Sequence, residues 1–187
     1  MTKRGATLST SDVRREAVLD AAITDFAKSG YRGTSINTVA VTAGISPAYV
    51  FKLFPSKTEL FVAAIDRCYE LVEQSLAKGA ARTPDGDAEQ ILYEMGGAYA
   101  ELIGDKSLLM LQVHAQSAAD VPEIAEAVRR GLRRVTEYAQ RRSGGSDAQV
   151  QRFMAYGQLC HLIVTLGLEH EQAPWATALT AGIRHPN

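Results

Sequence analysis

The sequence predicts an all-α fold in which a small N-terminal domain of three helices is joined by a long helix to a larger helical domain. Three observations support this fold class. Apolar residues recur at helical spacing along most of the 187 residues, no alternating strand pattern occurs, and glycine, proline and serine stand where helices would begin or end. We place the boundary between a domain of residues 1–56 and one of residues 57–187.

The chain opens with a polar segment, residues 1 to about 11, which lacks periodicity and carries Lys3 and Arg4. This segment reads either as a frayed terminus or as an arm that contacts a phosphate or the minor groove. The first helix then runs from residue 11 or 12 to about residue 29, and Gly30 is its expected stop. Its inward face is formed by Val18, Leu19, Ala22, Ile23 and Phe26.

Two short helices joined by a tight turn are predicted next. Thr34 or Ser35 can cap the first, whose inward side chains are Ile36, Val39, Ala40 and Ala43. Gly44 can adopt the positive φ that ends this helix, and Ile45 places an apolar side chain between the two helices.

Ser46 and Pro47 form a strong start signal for the second short helix, and Pro55 ends it. We expect Val50, Phe51 and Phe54 to face inward, and Ala48, Tyr49 and Lys52 to face outward. The three helices together suffice for a small core, for which the candidates are Phe26, Tyr31, Ile36, Val39, Ile45, Val50 and Phe54.

Such a pair is a helix-turn-helix, whose second helix enters the DNA major groove. The charge distribution agrees with this interpretation. Through Lys57 the chain has eight basic and four acidic residues, a formal charge of +4, which leaves −5 for the remainder. A helical hairpin that only packs within a bundle is the alternative interpretation.

A capping box, in which Ser56 and Glu59 satisfy each other's backbone N–H groups, is predicted to open a long helix that ends near Gly79. Its roughly twenty residues would span about 30 Å at the usual helical rise. After a loop at residues 79–87, helices are predicted at residues 87–104, 105–118, 121–143, 147–170 and 173–184.

The helix-turn-helix region resembles the N-terminal domain of the TetR family of transcriptional regulators. The matching residues are Thr34, Ser35, Ala40, Ala43, Gly44, Ile45, Ser46, Ala48, Tyr49, Val50, Phe51, Lys52, Phe54, Ser56, Lys57, Glu59 and Leu60. The resemblance covers about the first third of the chain. It implies a DNA-binding domain that a long helix connects to an effector-binding domain, so that movement at one end resets the other.

Base contacts are implied for the residues that match the family's recognition helix: Ser46, Pro47, Ala48, Tyr49 and Lys52. Thr34, Ser35 and Lys57 stand at helix starts, where backbone N–H groups favour a phosphate. Arg14 or Arg15 is a further candidate for a phosphate contact. The chain departs from the family pattern at Phe51, where tyrosine is common, and at Ala48-Tyr49, where Gly-Thr is usual.

Residues 147–170 carry more apolar side chains than one face of a surface helix needs, which predicts either a central buried helix or pairing with a second subunit. We expect a homodimer, because a symmetric partner places two recognition helices about 34 to 36 Å apart. In the family the last two helices usually form this interface. The short last helix here leaves its own contribution open.

A small-molecule effector pocket is predicted in the larger domain, where aromatic, soft and polar side chains lie on apolar helices. The candidate ligand-binding residues are Met95, Tyr99, Met110, His114, Phe153, Tyr156 and His161. Each could instead be an ordinary core residue.

Catalytic motifs are not found, and we predict neither catalytic residues, a metal site nor a cofactor. His161 and His170 are nine residues apart, which puts them on opposite faces of one helix. Cys68 and Cys160 are isolated, and no segment suits a signal peptide or membrane span, so we expect a cytoplasmic protein.

The predicted function is therefore a ligand-responsive transcriptional regulator. We expect a repressor that binds a palindromic double-stranded DNA operator as a homodimer and is released by a small-molecule effector; activation stays open. The alternative is a helical small-molecule-binding protein or enzyme with a vestigial helix-turn-helix.

Overall fold

The computed structural model describes residues 10–183, and within this range it contains helices and no strand. The elements are α1 (Thr10–Gly33), α2 (Ile36–Thr42), α3 (Pro47–Leu53), α4 (Lys57–Ala80), α5 (Ala88–Leu102), α6 (Lys106–Ser117), α7 (Pro122–Ser143), α8 (Asp147–Leu166), a 3-10 turn (Leu168–His170) and α9 (Pro174–Thr180). The all-α prediction is confirmed. The N-terminal segment with Lys3 and Arg4 lies outside the described residues.

Gly30 interrupts the first helix where the sequence predicts its stop, and a further helical turn follows it within α1. Gly30 has φ 67° and ψ −179°, which kinks the chain, and helical structure then continues to Gly33. A Cβ at Gly30 would lie 2.9 Å from Nδ1 of His114 on α6. The glycine therefore permits both the kink and the close approach of α6 to α1.

The two short helices form as predicted. Ser35 caps α2 by accepting a hydrogen bond from the N–H of Thr38 at 3.1 Å, and Ser46 caps α3 by accepting one from the N–H of Tyr49 at 3.3 Å. Gly44 in the turn has φ 68°. The predicted core is confirmed: five members are buried and two are partly buried against them, namely Phe26, Ile36, Val39, Val50 and Phe54, with Tyr31 and Ile45 at the edge.

Phe51 was expected to face inward and does not, because 48% of its surface is exposed. Successive residues of an α-helix are turned by about 100°, so Phe51 cannot share the inward direction of Val50. Leu53 packs against the core beside Val50 and Phe54 instead. The exposed ring of Phe51 therefore belongs to the outer surface of α3.

Helix α4 is the central element, since it packs against α1, α5, α6 and α7. Its start shows only half of the predicted capping box. The Ser56 hydroxyl accepts from the N–H of Glu59 at 3.1 Å, whereas the Glu59 carboxylate contacts the Ser56 hydroxyl. At its other end, Gly79 lies against the backbone of α5, where a Cβ would be 2.4 Å from the Glu94 carbonyl oxygen.

The C-terminal helices agree with the prediction except at two ends. Helix α8 stops at Leu166 because Gly167 adopts φ 66°, so the predicted helix over 147–170 is too long. His170 therefore does not share a helix with His161. Helix α9 ends at Thr180, before the predicted residue 184.

Candidate DNA-binding surface and ligand cavity

The outer face of α3 carries the residues that the sequence analysis assigned to base contacts. Ser46, Pro47, Ala48 and Lys52 are exposed, and Tyr49 is partly exposed. The inward packing of Val50, Leu53 and Phe54 holds this face outward. Whether these side chains contact DNA stays a prediction, but all of them lie on an accessible surface.

Two cations flank the ring of Tyr49. The guanidinium carbon of Arg14 lies 5.3 Å from the ring centroid, and Nζ of Lys52 lies 5.9 Å from it. Cation–π attraction at these distances holds positive charge beside α3. Arg14 thus joins α3 in one basic surface, which we call the Tyr49 surface: Arg14, Ser46, Pro47, Ala48, Tyr49 and Lys52.

The neighbouring Arg15 has a different environment. Its guanidinium donates a hydrogen bond to the Leu53 carbonyl oxygen at 3.0 Å and lies 4.2 Å from the ring centroid of Phe54. These contacts tie α1 to the C-terminal end of α3. Of the two candidates for a phosphate contact, these contacts therefore favour Arg14, because Arg15 already has partners.

Two of the predicted phosphate contacts have structural partners instead. Thr34 is buried, its hydroxyl donates to the Asp25 carbonyl oxygen at 3.1 Å and its N–H donates to the Gly30 carbonyl oxygen. Nζ of Lys57 donates to the Thr34 carbonyl oxygen at 2.9 Å and lies 4.8 Å from the centroid of the Tyr31 ring. The two residues join α4 to the link between α1 and α2. Ser35 remains exposed.

A cavity lies between α4, α5, α7 and α8, with α6 at one side. The cavity is open to solvent, and its empty space of about 1100 Å³ includes part of that solvent. Its wall is mainly apolar and aromatic; representative members are Tyr69, Val72, Leu92, Tyr99, Leu132 and Phe153. Glu89 and Arg152 are the charged residues of the wall; both are exposed, and they form an ion pair of 3.8 Å. A concave wall of this apolar and aromatic character suits a ligand.

Only part of the predicted ligand-binding set reaches the cavity. Tyr99, Phe153 and Tyr156 line it, whereas Met95, Met110 and His114 do not. Met95 is fully buried in the core, where its backbone lies against Gly79. Met110 packs against the core from its edge, and the ring of His114 lies against Gly30.

His161 lies behind the cavity wall and reaches it through Tyr99. Its Nε2 is 2.6 Å from the hydroxyl oxygen of Tyr99, which also accepts a hydrogen bond of 3.2 Å from Nε2 of Gln112. Burial lowers the pKa of His161 to about 4 and raises the pKa of the Tyr99 hydroxyl. Both groups are therefore uncharged near neutral pH.

Gln112 lines the cavity and was not among the predicted ligand-binding residues. It is a single amide in the apolar run Leu108–Val113, and a buried polar group in such a run needs a partner. That signal could have found it. Tyr69 gave no such signal, because it lies in the apolar stripe of α4, where an ordinary core residue would have the same sequence pattern.

Helices α8 and α9 carry an exposed apolar surface. Its large members are Tyr156, Leu162, Leu166 and Trp175, of which Leu166 is 64% exposed. Exposed apolar side chains on adjacent helices are a common feature of subunit interfaces. The surface lies where the sequence analysis placed the dimer contact.

Within residues 10–183 no three His, Cys, Asp or Glu side chains come together as metal ligands, and no helix of this range is long and apolar enough to cross a membrane. Burial raises the pKa of Cys68 to about 12 and that of Cys160 to about 11, so both remain thiols.

Comparison with known proteins bears on the first four helices. Residues 18–64 match the family described as bacterial regulatory proteins, tetR family. The chain is 26% identical over 120 residues to the HTH-type transcriptional repressor KstR of Rhodococcus jostii, covering 63% of this chain and 57% of KstR. It is 30% identical over 93 residues to the repressor NicS of Pseudomonas putida, covering 50% and 43%. The chain thus spans about half the length of these relatives.

The whole fold is also known. The structure of the transcriptional regulator FadR from Bacillus subtilis in complex with stearoyl-CoA superposes with a TM-score of 0.68 at 14% identity, covering 90% of this chain and 99% of FadR. At this identity the likeness establishes a shared fold. It extends through the helices that form the cavity.

Proposed function

We propose that the chain is a transcriptional repressor of the TetR family, which binds a palindromic operator as a homodimer and is released by a small-molecule effector. The match of residues 18–64 to that family supports this proposal. The observation that carries the proposal is the Tyr49 surface. An exposed recognition helix with two cations beside it meets the needs of groove entry and phosphate attraction. KstR and NicS, which resemble this chain, are both named as transcriptional repressors.

In this proposal the side chains of the Tyr49 surface divide the work of DNA binding. Ser46, Pro47, Ala48 and Tyr49 face base edges from the first turn of α3, where helix-turn-helix proteins make base contacts. Arg14 and Lys52 meet phosphates on either side and hold the helix in register. Ser35 at the start of α2 is a further phosphate contact.

A second copy of the chain is the partner that we propose for the apolar surface of α8 and α9. Burying Leu162, Leu166 and Trp175 against their symmetry mates removes large apolar side chains from water. A twofold interface there presents two copies of α3 to successive major grooves.

The cavity is the proposed effector site, and α6 is the element that links it to DNA binding. Gln112 of α6 lines the cavity, while His114 of the same helix lies against Gly30 of α1. Just beyond α6, Asp120 forms an ion pair of 2.5 Å with Arg32 at the end of α1. An effector that favours a shifted α6 would therefore favour a shifted α1.

This link also defines how we divide the chain by role. We propose that residues 1–56 bind DNA and residues 57–187 bind the effector and the second subunit. The two parts share a packed interface between α1 and α6. That interface transmits the effect of the ligand.

Selection of bound sequences from a random duplex pool at two salt concentrations tests the DNA-binding role. An enriched inverted repeat supports a dimeric repressor. Lys52→Ala should weaken binding to that repeat, whereas Arg133→Ala, which removes an exposed charge on α7, should not. If the protein enriches no sequence from the pool, the proposal is refuted.

The cavity favours a second candidate, a helical small-molecule-binding protein with a vestigial helix-turn-helix. That candidate requires tight ligand binding without affinity for any duplex. The same selection, combined with a ligand-binding assay, separates the two.

A further inference from the structure

The wall of the cavity includes a buried hydrogen-bonded group of three side chains, Gln112, Tyr99 and His161, which we call the Tyr99 relay. All three side chains are more than nine-tenths buried. The buried phenol of Tyr69 lies elsewhere in the same wall. Gln112 and Tyr99 belong to the cavity wall, and His161 lies behind them. The charged wall residues, Glu89 and Arg152, are exposed. A charged group on a ligand would therefore find no counter-charge within the described interior.

The orientation of the Gln112 amide is determined by its second partner. Nε2 of Gln112 lies 3.2 Å from the Leu108 carbonyl oxygen and 3.2 Å from the Tyr99 hydroxyl oxygen. A carbonyl oxygen can only accept, so the atom beside it must be the amide nitrogen. The second N–H of that nitrogen then points to Tyr99, whose oxygen accepts it.

The contact of Tyr99 with His161 allows two arrangements. If Tyr99 donates its proton to Nε2, the imidazole proton sits on Nδ1, which is buried without a partner among the described residues. If Nε2 carries the proton and donates it, Nδ1 is a bare lone pair. Each arrangement leaves one buried donor without a partner in the relay, the Nδ1–H of His161 in the first and the Tyr99 hydroxyl in the second. A ligand can relieve only the second, because Tyr99 belongs to the cavity wall and His161 lies behind it.

The second arrangement leaves the Tyr99 proton without an acceptor in the relay. Its oxygen then accepts from both Gln112 and His161, so both lone pairs are used. The proton is therefore available to a group in the cavity. The raised pKa of Tyr99 keeps it protonated, and the low pKa of His161 keeps the imidazole neutral.

We propose that the cavity binds an uncharged, largely apolar molecule with one hydrogen-bond-accepting oxygen, such as a ketone or ester, and that this oxygen accepts the Tyr99 hydroxyl proton. Gln112 and His161 are positioning residues that hold the hydroxyl by donating to it. This inference rests on the effector role proposed above for the cavity. It assigns the chemical class of the ligand and the residue that recognises its polar group.

The test uses matched probes that differ in a single group. The ketones 2-nonanone and benzophenone are compared with nonane and diphenylmethane, and the ions nonanoate and nonylammonium test the exclusion of charge. Affinities are measured by displacement of the neutral dye Nile red from the full chain. Tyr99→Phe removes the proposed donor, and Tyr138→Phe removes a hydroxyl from a partly buried tyrosine of α7 that does not line the cavity.

We expect Tyr99→Phe to lower the affinity for at least one ketone about tenfold, the loss of one hydrogen bond, and to leave its hydrocarbon partner within about twofold. Tyr138→Phe should change neither. If Tyr99→Phe fails to fold, infrared spectra of the parent protein with carbonyl-labelled ketone provide the second test. The bound carbonyl stretch should shift to lower frequency than in heptane.

Three results would overturn the inference: equal effects of Tyr99→Phe on ketone and hydrocarbon, tighter binding of either ion, or binding of none of the probes. Operator binding is measured on the same samples. Sequence-specific DNA binding together with any of these results overturns the ligand class and leaves the repressor proposal standing. Ketone binding that depends on Tyr99, without any DNA binding, overturns the repressor proposal and leaves the ligand class standing.

Discussion

Replacing Gly131 with alanine should destabilise the protein and reduce the space in the cavity. Gly131 lies in α7 against the ring of Tyr69 from α4. A Cβ at Gly131 would lie 2.0 Å from Cδ2 and 2.3 Å from Cγ of that ring. Carbon atoms pack at about 3.5–4.0 Å, so the ring must move by about 1.5 Å. Tyr69 is buried and lines the cavity, so its displacement alters both the core and the cavity.

The net effect is a balance between two contributions. Forcing an extra methyl group into a packed core costs about 1–3 kcal/mol. Alanine is favoured over glycine within a helix by about 1 kcal/mol. Because the overlap at Tyr69 is severe, we take the overpacking cost from the upper half of its range. The expected loss in the free energy of unfolding is therefore about 1–2 kcal/mol.

Gly96→Ala is the matched control, since it also places a methyl group at the cavity wall. Its Cβ would meet only a ring carbon of Phe153 at 3.9 Å, an ordinary contact. Urea unfolding followed by circular dichroism, at one protein concentration, compares the two variants with the parent. We expect Gly131→Ala alone to lose stability and Nile red affinity. Stability and dye binding equal to those of Gly96→Ala would refute the argument from the Tyr69 contact.

Four further outcomes are expected. Arg14→Ala should weaken operator binding and lower its salt slope by about one unit, without changing stability. Arg15→Ala should instead lower the unfolding midpoint, because it loses the Leu53 and Phe54 contacts; an unchanged midpoint would contradict this assignment. His114→Ala should leave the affinity for ligand alone and the affinity for operator alone unchanged, but saturating ligand should release less of the bound operator than in the parent. Equal release from both proteins would exclude α6 as the link between the cavity and α1. Because folding lowers the pKa of His161, its contribution to stability is full above pH 6.5 and is lost as the pH falls toward about 4. His161→Gln should flatten this part of a pH series of urea midpoints, and an unaltered series would show that His161 does not titrate there.

The two short helices α2 and α3 could be predicted because their signals are local. The capping serines Ser35 and Ser46 act on N–H groups three residues away, and Pro47 and Gly44 act through their own backbone angles. Such effects depend little on the rest of the chain. The pattern of residues 34–60 therefore indicated both the helix-turn-helix and its family. The interruption at Gly30 was predictable for the same reason, because its φ of 67° is a conformation that glycine adopts readily.

The composition of the cavity could not be predicted in the same way. The hydrophobic effect depends on the apolar area removed from water and has no preferred direction. The sequence pattern of an inward apolar residue is therefore the same in a packed core and in a cavity wall. Met95 and Tyr99 lie four residues apart on α5, yet one is fully buried in the core and the other reaches the cavity. Their difference depends on where α4 and α8 cross α5.

By itself, then, the sequence determined the helical fold and the helix-turn-helix through capping and periodicity, and a short motif indicated the resemblance to the TetR family. Tertiary structure alone decided which charged and polar side chains remain available. Lys57, Thr34 and Arg15 have partners on neighbouring helices, Arg14 lies beside Tyr49, and Gln112 meets Tyr99 and His161. The physical reason is that hydrogen bonds and ion pairs require specific distances and angles. Only the packed arrangement of the helices sets these distances for residues far apart in the chain.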